Sequence, residues 1–241
     1  MEASWICRSC GFRANIFDGY YWRCPVCGSP IDISYEPVYE FGGRGLDRFR
    51  GLLPFTPDRY RGEGETKLVE ETIDGVKLLL KLEYMNPSGS FKDRGSALSI
   101  YYAYRMGFRR VVEDSSGNAG LSVALYSLVY GLKPTIIIPK TVSRSKRDLI
   151  RVVGGDVVEV DTRRDAALYA AKLSLTGFYV AHTWSPLYIY GSATIAFEVY
   201  EEVGEPDAVI APAGSGGLLL GIIKGFEILK KLGKGKRFPG P

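Results

Sequence analysis

A chain of 241 residues, 46% apolar and 24% charged, has the composition of an ordinary globular protein of one large or two small domains, which excludes disorder, collagen-like repeats and a disulfide-dense scaffold. Thirty-one Lys and Arg against 27 Asp and Glu leave a net charge of +4 with the signs interspersed, so nothing points to a nucleic-acid partner. No apolar run reaches the roughly 20 residues of a membrane span, and the start, MEASWICRSC, lacks the basic and apolar parts of a signal peptide; the expectation is a cytoplasmic protein without a membrane partner. Gln is absent and Asn is confined to positions 15, 86 and 118, a shortage of heat-labile amides that suggests a thermophile source.

Two C-x-x-C pairs open the chain, Cys7 with Cys10 and Cys24 with Cys27, thirteen residues apart. Gly11 and Gly28 follow the pairs and let the backbone bend so that amides face the thiolates. This is zinc-ribbon spacing, in which four sulfurs close a tetrahedral structural site and leave no position for water. A module of residues 1–32 is too short to bury a core without metal.

Residues 41–54, FGGRGLDRFRGLLP, read as a connector wrapping over the next domain. The runs KLVEETI and VKLLLKL are joined by Asp74-Gly75, a pair suited to a type I′ hairpin turn. Beyond them strands are expected at 111–116, 135–139, 157–160, 178–181 and 208–211, with helices at 118–130, 143–153, 162–175 and 187–203. Glycines 107, 131, 154, 177 and 204 stand where a left-handed helix C-cap is wanted. Alternation of this kind argues for a parallel sheet in an α/β protein.

Ligands in such folds bind where strands give way to helices, and three of these turns are unusual. NPSGSFKDRG (86–95) leads into a helix whose first turn carries Lys92, at the end of the macrodipole that disfavours its positive charge; the bland alternative is a solvated lysine paired with Asp93. DSSGNAG (114–120) opens a helix with small residues whose N–H groups can hold a carboxylate, although a Ser or Asx cap explains it almost as well. APAGSGGLLLG (211–221) is a glycine-rich turn whose amides and Ser215 can surround a phosphate, without the spacing of a dinucleotide fingerprint or the lysine of a nucleotide P-loop. An amine, a carboxylate cradle and a phosphate cradle are the parts that pyridoxal phosphate chemistry needs.

In these three motifs, and in their order, the chain resembles the fold type II pyridoxal phosphate enzymes, the tryptophan synthase β-like superfamily, and NPSGSFKDRG is most similar to the threonine synthase branch. The resemblance runs from about residue 64 to the helix after the GSGG turn, and a zinc ribbon in front fits threonine synthase relatives. It implies two parallel-sheet α/β domains behind the ribbon: a large cofactor domain from 33–85 and 186–241, and a small domain from 86–185. Lys92 is then the lysine that holds the cofactor and later moves protons. Asn118 would bond the cofactor's 3′ oxygen, Gly214, Ser215, Gly216 and Gly217 its phosphate, while Ser116, Gly117, Asn118 and Ala119 would hold the substrate carboxylate. The leading implied reaction converts 4-phosphohomoserine and water to threonine and phosphate. The alternatives are a β-replacement or β-elimination on serine or phosphoserine, as in cysteine or cysteate synthases and dehydratases, or a catalytically silent binding protein.

Two departures qualify the resemblance. Residues 185–197 read SPLYIYGSATIAF where threonine synthases tend towards NPYRIEGQKTIAF, so Tyr188, Tyr190, Ser192 and Ala193 replace charged or amide groups. If these line the pocket, a phosphate substrate loses support; otherwise they only pack an interface. His182, just before this stretch, is expected to be structural rather than an acid or base. Relatives also continue for about a further hundred residues, so the large domain is expected to be truncated here, without its partner for the pyridine nitrogen. The helix from Gly217 to Leu232 is then expected to be partly uncovered, favouring a homo-oligomer or a covering partner.

Overall fold

The computed structural model describes residues 2–235; residues 236–241, the end of the expected large-domain segment, lie outside the described residues. Strands β1 (Ala3–Ile6), β2 (Arg13–Asn15) and β3 (Asp32–Tyr35) form an antiparallel sheet in the order β2-β1-β3. Period-2 alternation turns Ala3 and Trp5 inward. Trp5 is fully buried and its indole N–H serves the carbonyls of Ile16 and Gly19 at 3.1 and 2.9 Å. The hydroxyl of Tyr102 lies 2.5 and 2.8 Å from the same two carbonyls. A loop that would otherwise expose its backbone is thereby tied to the first helix of the following α/β unit, and the ribbon shares that unit's core.

After the connector, whose Leu46, Phe49, Leu52 and Leu53 are all buried, come β4 (Leu68–Ile73) and β5 (Val76–Lys81). They pair as the expected hairpin with Ile73 opposite Val76, and Asp74 and Gly75 both take positive φ, 49° and 78°, as a type I′ turn requires. Helices α1 (Lys92–Arg105), α2 (Asn118–Val129), α3 (Arg144–Val152) and α4 (Arg163–Leu173) then alternate with β6 (Arg110–Glu113), β7 (Lys133–Pro139), β8 (Asp156–Val160) and β9 (Phe178–Tyr179). The four strands form one parallel sheet in the order β8-β7-β6-β9. The α/β class with a parallel sheet is therefore the observed one. Four of the five expected C-cap glycines adopt positive φ; Gly177 does not, because it leads directly into β9, where a Cβ would stand 3.3 Å from the Arg110 carbonyl oxygen.

One expected strand does not form. Residues 208–211 make only an isolated bridge at Ala208, and Ile210 is 92% exposed. A β-branched run becomes a strand only beside a partner, and none of the described residues supplies a ladder there.

The last two helices, α5 (Pro186–Val203) and α6 (Gly217–Lys231), close the back of the molecule. Glycine makes the α1–α5 crossing possible: a Cβ at Gly191 would stand 2.3 Å from the Arg94 carbonyl oxygen. Beneath that crossing the Arg94 side chain is fully buried. Its guanidinium forks onto Glu83 at 2.7 and 2.8 Å and onto Glu198 at 2.6 and 2.8 Å, with Thr66 and Thr194 completing the set. Burial pushes the Glu198 carboxyl up, but Arg94 and Lys81 outweigh it and hold its pKa at about 2. This pairing fixes the segment that begins with Lys92 against the hairpin's end and against α5.

Candidate active site

Lys92 is the first residue of α1, and its amine lies 4.7 Å from the Phe91 ring centre and 5.5 Å from that of Tyr188. The pairing with Asp93 does not occur. Asp93 accepts from the Ser88 amide at 2.7 Å, from the Ser88 hydroxyl and from Ser122 Oγ at 2.5 Å, which leaves Lys92 without an ion-pair partner among the described residues. Burial pushes the Lys92 pKa down, opposed by the charge of Glu113. The lysine is thus depressed as expected, but by desolvation rather than by the helix end. Tyr188, buried beside it, is fixed through Ser96 (2.8 Å) and Ser122 to the same Asp93.

The turn 114–120 ends β6 and opens α2, with Gly117 at the N-cap and no side-chain cap. Asn118 is exposed and its side chain makes no hydrogen bond among the described residues; the Gly117 amide reaches only Ser115 Oγ, at 3.4 Å. The capping alternative therefore fails for Asn118, and the N–H groups at the start of α2 remain open. The third turn behaves alike. Gly216 has φ 86°, α6 starts at Gly217 without a side-chain cap, and a Cβ on Gly214 or Gly216 would meet no atom within 4 Å. By contrast α4 is closed by a full capping box of Thr162 and Asp165. A Cβ on Gly217 would stand 4.0 Å from the His182 carbonyl and 3.9 Å from Ser215 Oγ, which puts the phosphate-type turn beside the end of the parallel sheet.

Comparison with known proteins settles which family these turns belong to. The sequence profile of pyridoxal-phosphate dependent enzymes matches residues 60–235. The chain belongs to this family. Threonine synthase from Synechocystis is 32% identical over 211 residues, covering 81% of this chain and 55% of that protein. Threonine synthase from Methanocaldococcus jannaschii is 34% identical over 246 residues, covering 92% of this chain and 60% of its own length. A hydrogen sulfide-producing enzyme from Fusobacterium nucleatum superposes with a TM-score of 0.64 at 27% identity, covering 72% of this chain and 61% of that one. The chain thus spans somewhat more than half the length of the curated relatives it matches.

Pyridoxal phosphate fits the residues present: an unpaired, half-buried amine, an unengaged Asn118 and an open glycine turn at a helix start. Two groups beside these turns, Ser90 and Glu113, escaped the sequence reading. Ser90 Oγ and Glu113 Oε2 are buried without a hydrogen-bond partner, and the Tyr188 ring faces the Lys92 amine. Position within NPSGSFKDRG was the only sequence signal for Ser90, and Glu113 carried none beyond standing at a strand end. His182, expected to be structural, places Nδ1 2.5 Å from Glu113 Oε1.

Of the four departures at 185–197, only Tyr188 reaches Lys92. Tyr190 donates to the Ile33 carbonyl at 2.9 Å on the ribbon, Ser192 donates to the Tyr188 carbonyl at 3.0 Å, and Ala193 packs under Gly225 of α6. For these three the interface role is the observed one.

Proposed function

We propose that this chain carries the catalytic lysine and anion cradles of a threonine synthase-like lyase, converting 4-phosphohomoserine and water to threonine and phosphate. The observation that carries the reading is Lys92: a half-buried amine without an ion-pair partner among the described residues, accompanied by open glycine-containing turns at the starts of α2 and α6 in a chain whose curated relatives include threonine synthases. Bound pyridoxal phosphate supplies an electron sink for charge developing at the substrate α carbon. Gly214, Ser215, Gly216 and Gly217 hold its phosphate, Asn118 its ring oxygen, and Lys92 fixes it and moves protons. The substrate carboxylate rests on the amides of Ser116, Gly117, Asn118 and Ala119. Borohydride reduction of loaded protein is expected to fix the cofactor at Lys92 alone, and phosphate release from 4-phosphohomoserine to accompany threonine formation. A label on another lysine refutes the site.

A β-replacement or β-elimination on serine derivatives is the second reading. It is favoured by Glu113 and Asp114 beside the turn at 114–120, where a doubly charged phosphate substrate would prefer cations. Pyruvate or sulfide-dependent product without phosphate release selects it, and silence with every amino acid selects a binding role.

At the ribbon, the Cys7, Cys10, Cys24 and Cys27 sulfurs lie within 4.8 Å of one another, all free of disulfides. The Gly11 and Gly28 amides bond the Cys7 and Cys24 carbonyls. Hydrogen bonds from Ser29 push Cys27 down to about 6, whereas for Cys10 the Phe12 amide is outweighed by neighbouring sulfurs, Cys24 first, which drive it up to about 12. Neighbouring sulfurs oppose one another's ionisation, a conflict that a dication bound by all four resolves. We assign them structural zinc; freshly prepared protein lacking one zinc per chain overturns this. Self-association or a partner covering the helix from Gly217 to Leu232 is proposed, the face with Ile222, Phe226, Ile228 and Leu229 being buried within this chain and Leu220 exposed, to be read by light scattering at several concentrations.

A further inference from the structure

Strands β6 and β9 lie side by side in parallel register, Val112 opposite Tyr179, and the Val180 amide donates to the Val112 carbonyl at 2.9 Å. Glu113 ends β6 and His182 follows the end of β9, so two strand ends bring together residues 69 positions apart, His182 Nδ1 lying 2.5 Å from Glu113 Oε1. Asp114 closes the group. One atom able to ligate a metal from each of Glu113, Asp114 and His182 lies within 4.8 Å of the other two. Asp114 is itself oriented by the Tyr179 hydroxyl, which donates to Oδ1 at 2.9 Å, and the Tyr179 ring packs against Trp22 of the ribbon with centres 5.3 Å apart.

The hydrogen bond between Glu113 and His182 does not account for this group. The Glu113 side chain is wholly buried, and its second oxygen, Oε2, has no hydrogen-bond partner. Such an oxygen is costly to bury unless an ion or water completes it. Neither carboxylate forms an ion pair with a lysine or arginine among the described residues.

We propose that Glu113, Asp114 and His182 bind a divalent cation of the kind that accepts carboxylate and imidazole together, Mn²⁺ or Zn²⁺ rather than Mg²⁺ or Ca²⁺. The proposal goes beyond the reading of Lys92 and stands on different residues. Around an ion with bonds of about 2.1 Å, adjacent ligand atoms stand roughly 3 Å apart and opposite ones roughly 4.2 Å. The three atoms reach that arrangement by shifts of about half an ångström, with His182 moving off Glu113 Oε1 as the ion enters and the proton of that hydrogen bond passing to solvent. Asp114 and His182 are only partly buried and Thr183 and Trp184 are exposed, which gives the ion and its remaining waters a way in. Tyr179 behind Asp114 supplies the orienting hydrogen bond that ligating carboxylates need. Beside the turn at 114–120 the bound cation offsets two carboxylates that would otherwise repel an anionic substrate.

The test needs neither cofactor nor turnover. The untagged full chain is titrated with Mn²⁺, a probe chosen because thiolate ligands such as those of the ribbon select zinc over manganese. One Mn²⁺ per chain is expected to bind, read by loss of the free-ion electron paramagnetic resonance signal, and spin-echo modulation of the bound ion is expected to show one imidazole nitrogen. The chain has a single histidine, so that nitrogen can belong only to His182. Asp114→Asn, His182→Ala and Glu113→Gln are each expected to weaken binding by at least about tenfold. Asp161→Asn, at an exposed carboxylate paired with Lys140, is expected to leave it unchanged. Absence of binding at millimolar Mn²⁺, bound Mn²⁺ without nitrogen modulation, or unchanged affinity in the folded variants overturns the proposal. If Glu113→Gln does not fold, Asp114→Asn and His182→Ala, at partly buried positions, decide. Failure of pyridoxal phosphate to attach at Lys92 would defeat the proposed function while leaving this titration readable.

Discussion

Lys92 starts a helix packed against α2 and α5, whereas Gly214 and Ser215 stand exposed on their turn. The first region stands on α1, α2 and α5, with Arg94, Asp93 and Tyr188 buried in hydrogen-bond networks. The second follows a segment that forms no strand, and across the molecule the β4–β5 hairpin shows Ile73, Val76, Leu79 and Leu80 to solvent. The turn that carries the amine is thus held by interactions internal to this chain, while the glycine-rich turn follows a segment without a strand, with Val209 and Ala211 partly buried against the core, and runs into α6.

Four experiments can break or sharpen that contrast. Arg94→Met removes the centre of the packed region and leaves Glu83 and Glu198 as buried carboxylates without their cation. The expected loss is about 3–5 kcal/mol in urea unfolding, and a loss below about 1 kcal/mol would show that the region does not depend on its ion network. Acid probes the same network. The folded pKa of Glu198, about 2, lies below its ordinary 4.5, so its contribution is complete above 4.5 and disappears as pH falls towards 2. A pH titration of stability should show a decline of about 3 kcal/mol across that window, and Glu198→Gln should remove the decline. In the open region Gly216→Asp puts a carboxylate on the phosphate-type turn at a positive-φ position. Cofactor affinity is expected to fall at least tenfold in a titration, with stability changed by about 1 kcal/mol at most; unchanged affinity would place the phosphate elsewhere. Smallest of all, Leu80→Ser on the hairpin should change stability by no more than about 0.5 kcal/mol, and a larger change would show that the hairpin is covered in solution.

The sequence was most legible where local chemistry suffices. The hairpin follows from Asp74-Gly75, whose positive φ angles are conformations that glycine, and to a lesser degree aspartate, accept. The cysteine cluster follows from spacing, because two residues between ligands bring both sulfurs of a pair to one side of a tight turn. The strand expected at 208–211 fails for the complementary reason: a β-branched pattern reports fitness for a sheet, not the presence of a neighbour. Glu113 looks like an ordinary polar residue at a strand end, since nothing local signals that it is buried against His182, 69 positions away.

By itself the sequence determined the family, the alternation of strands and helices, the ribbon's four cysteines and the amine at Lys92, all of which depend on residues close together in the chain. Only the tertiary structure decided that Asp93 turns away from Lys92, that Tyr190, Ser192 and Ala193 serve packing, and that Glu113 meets His182. Several of those outcomes depend on contacts between residues far apart in the chain, 69 positions for Glu113 and His182 and 157 for Tyr190 and Ile33, where competing hydrogen-bond partners and loss of water choose the geometry.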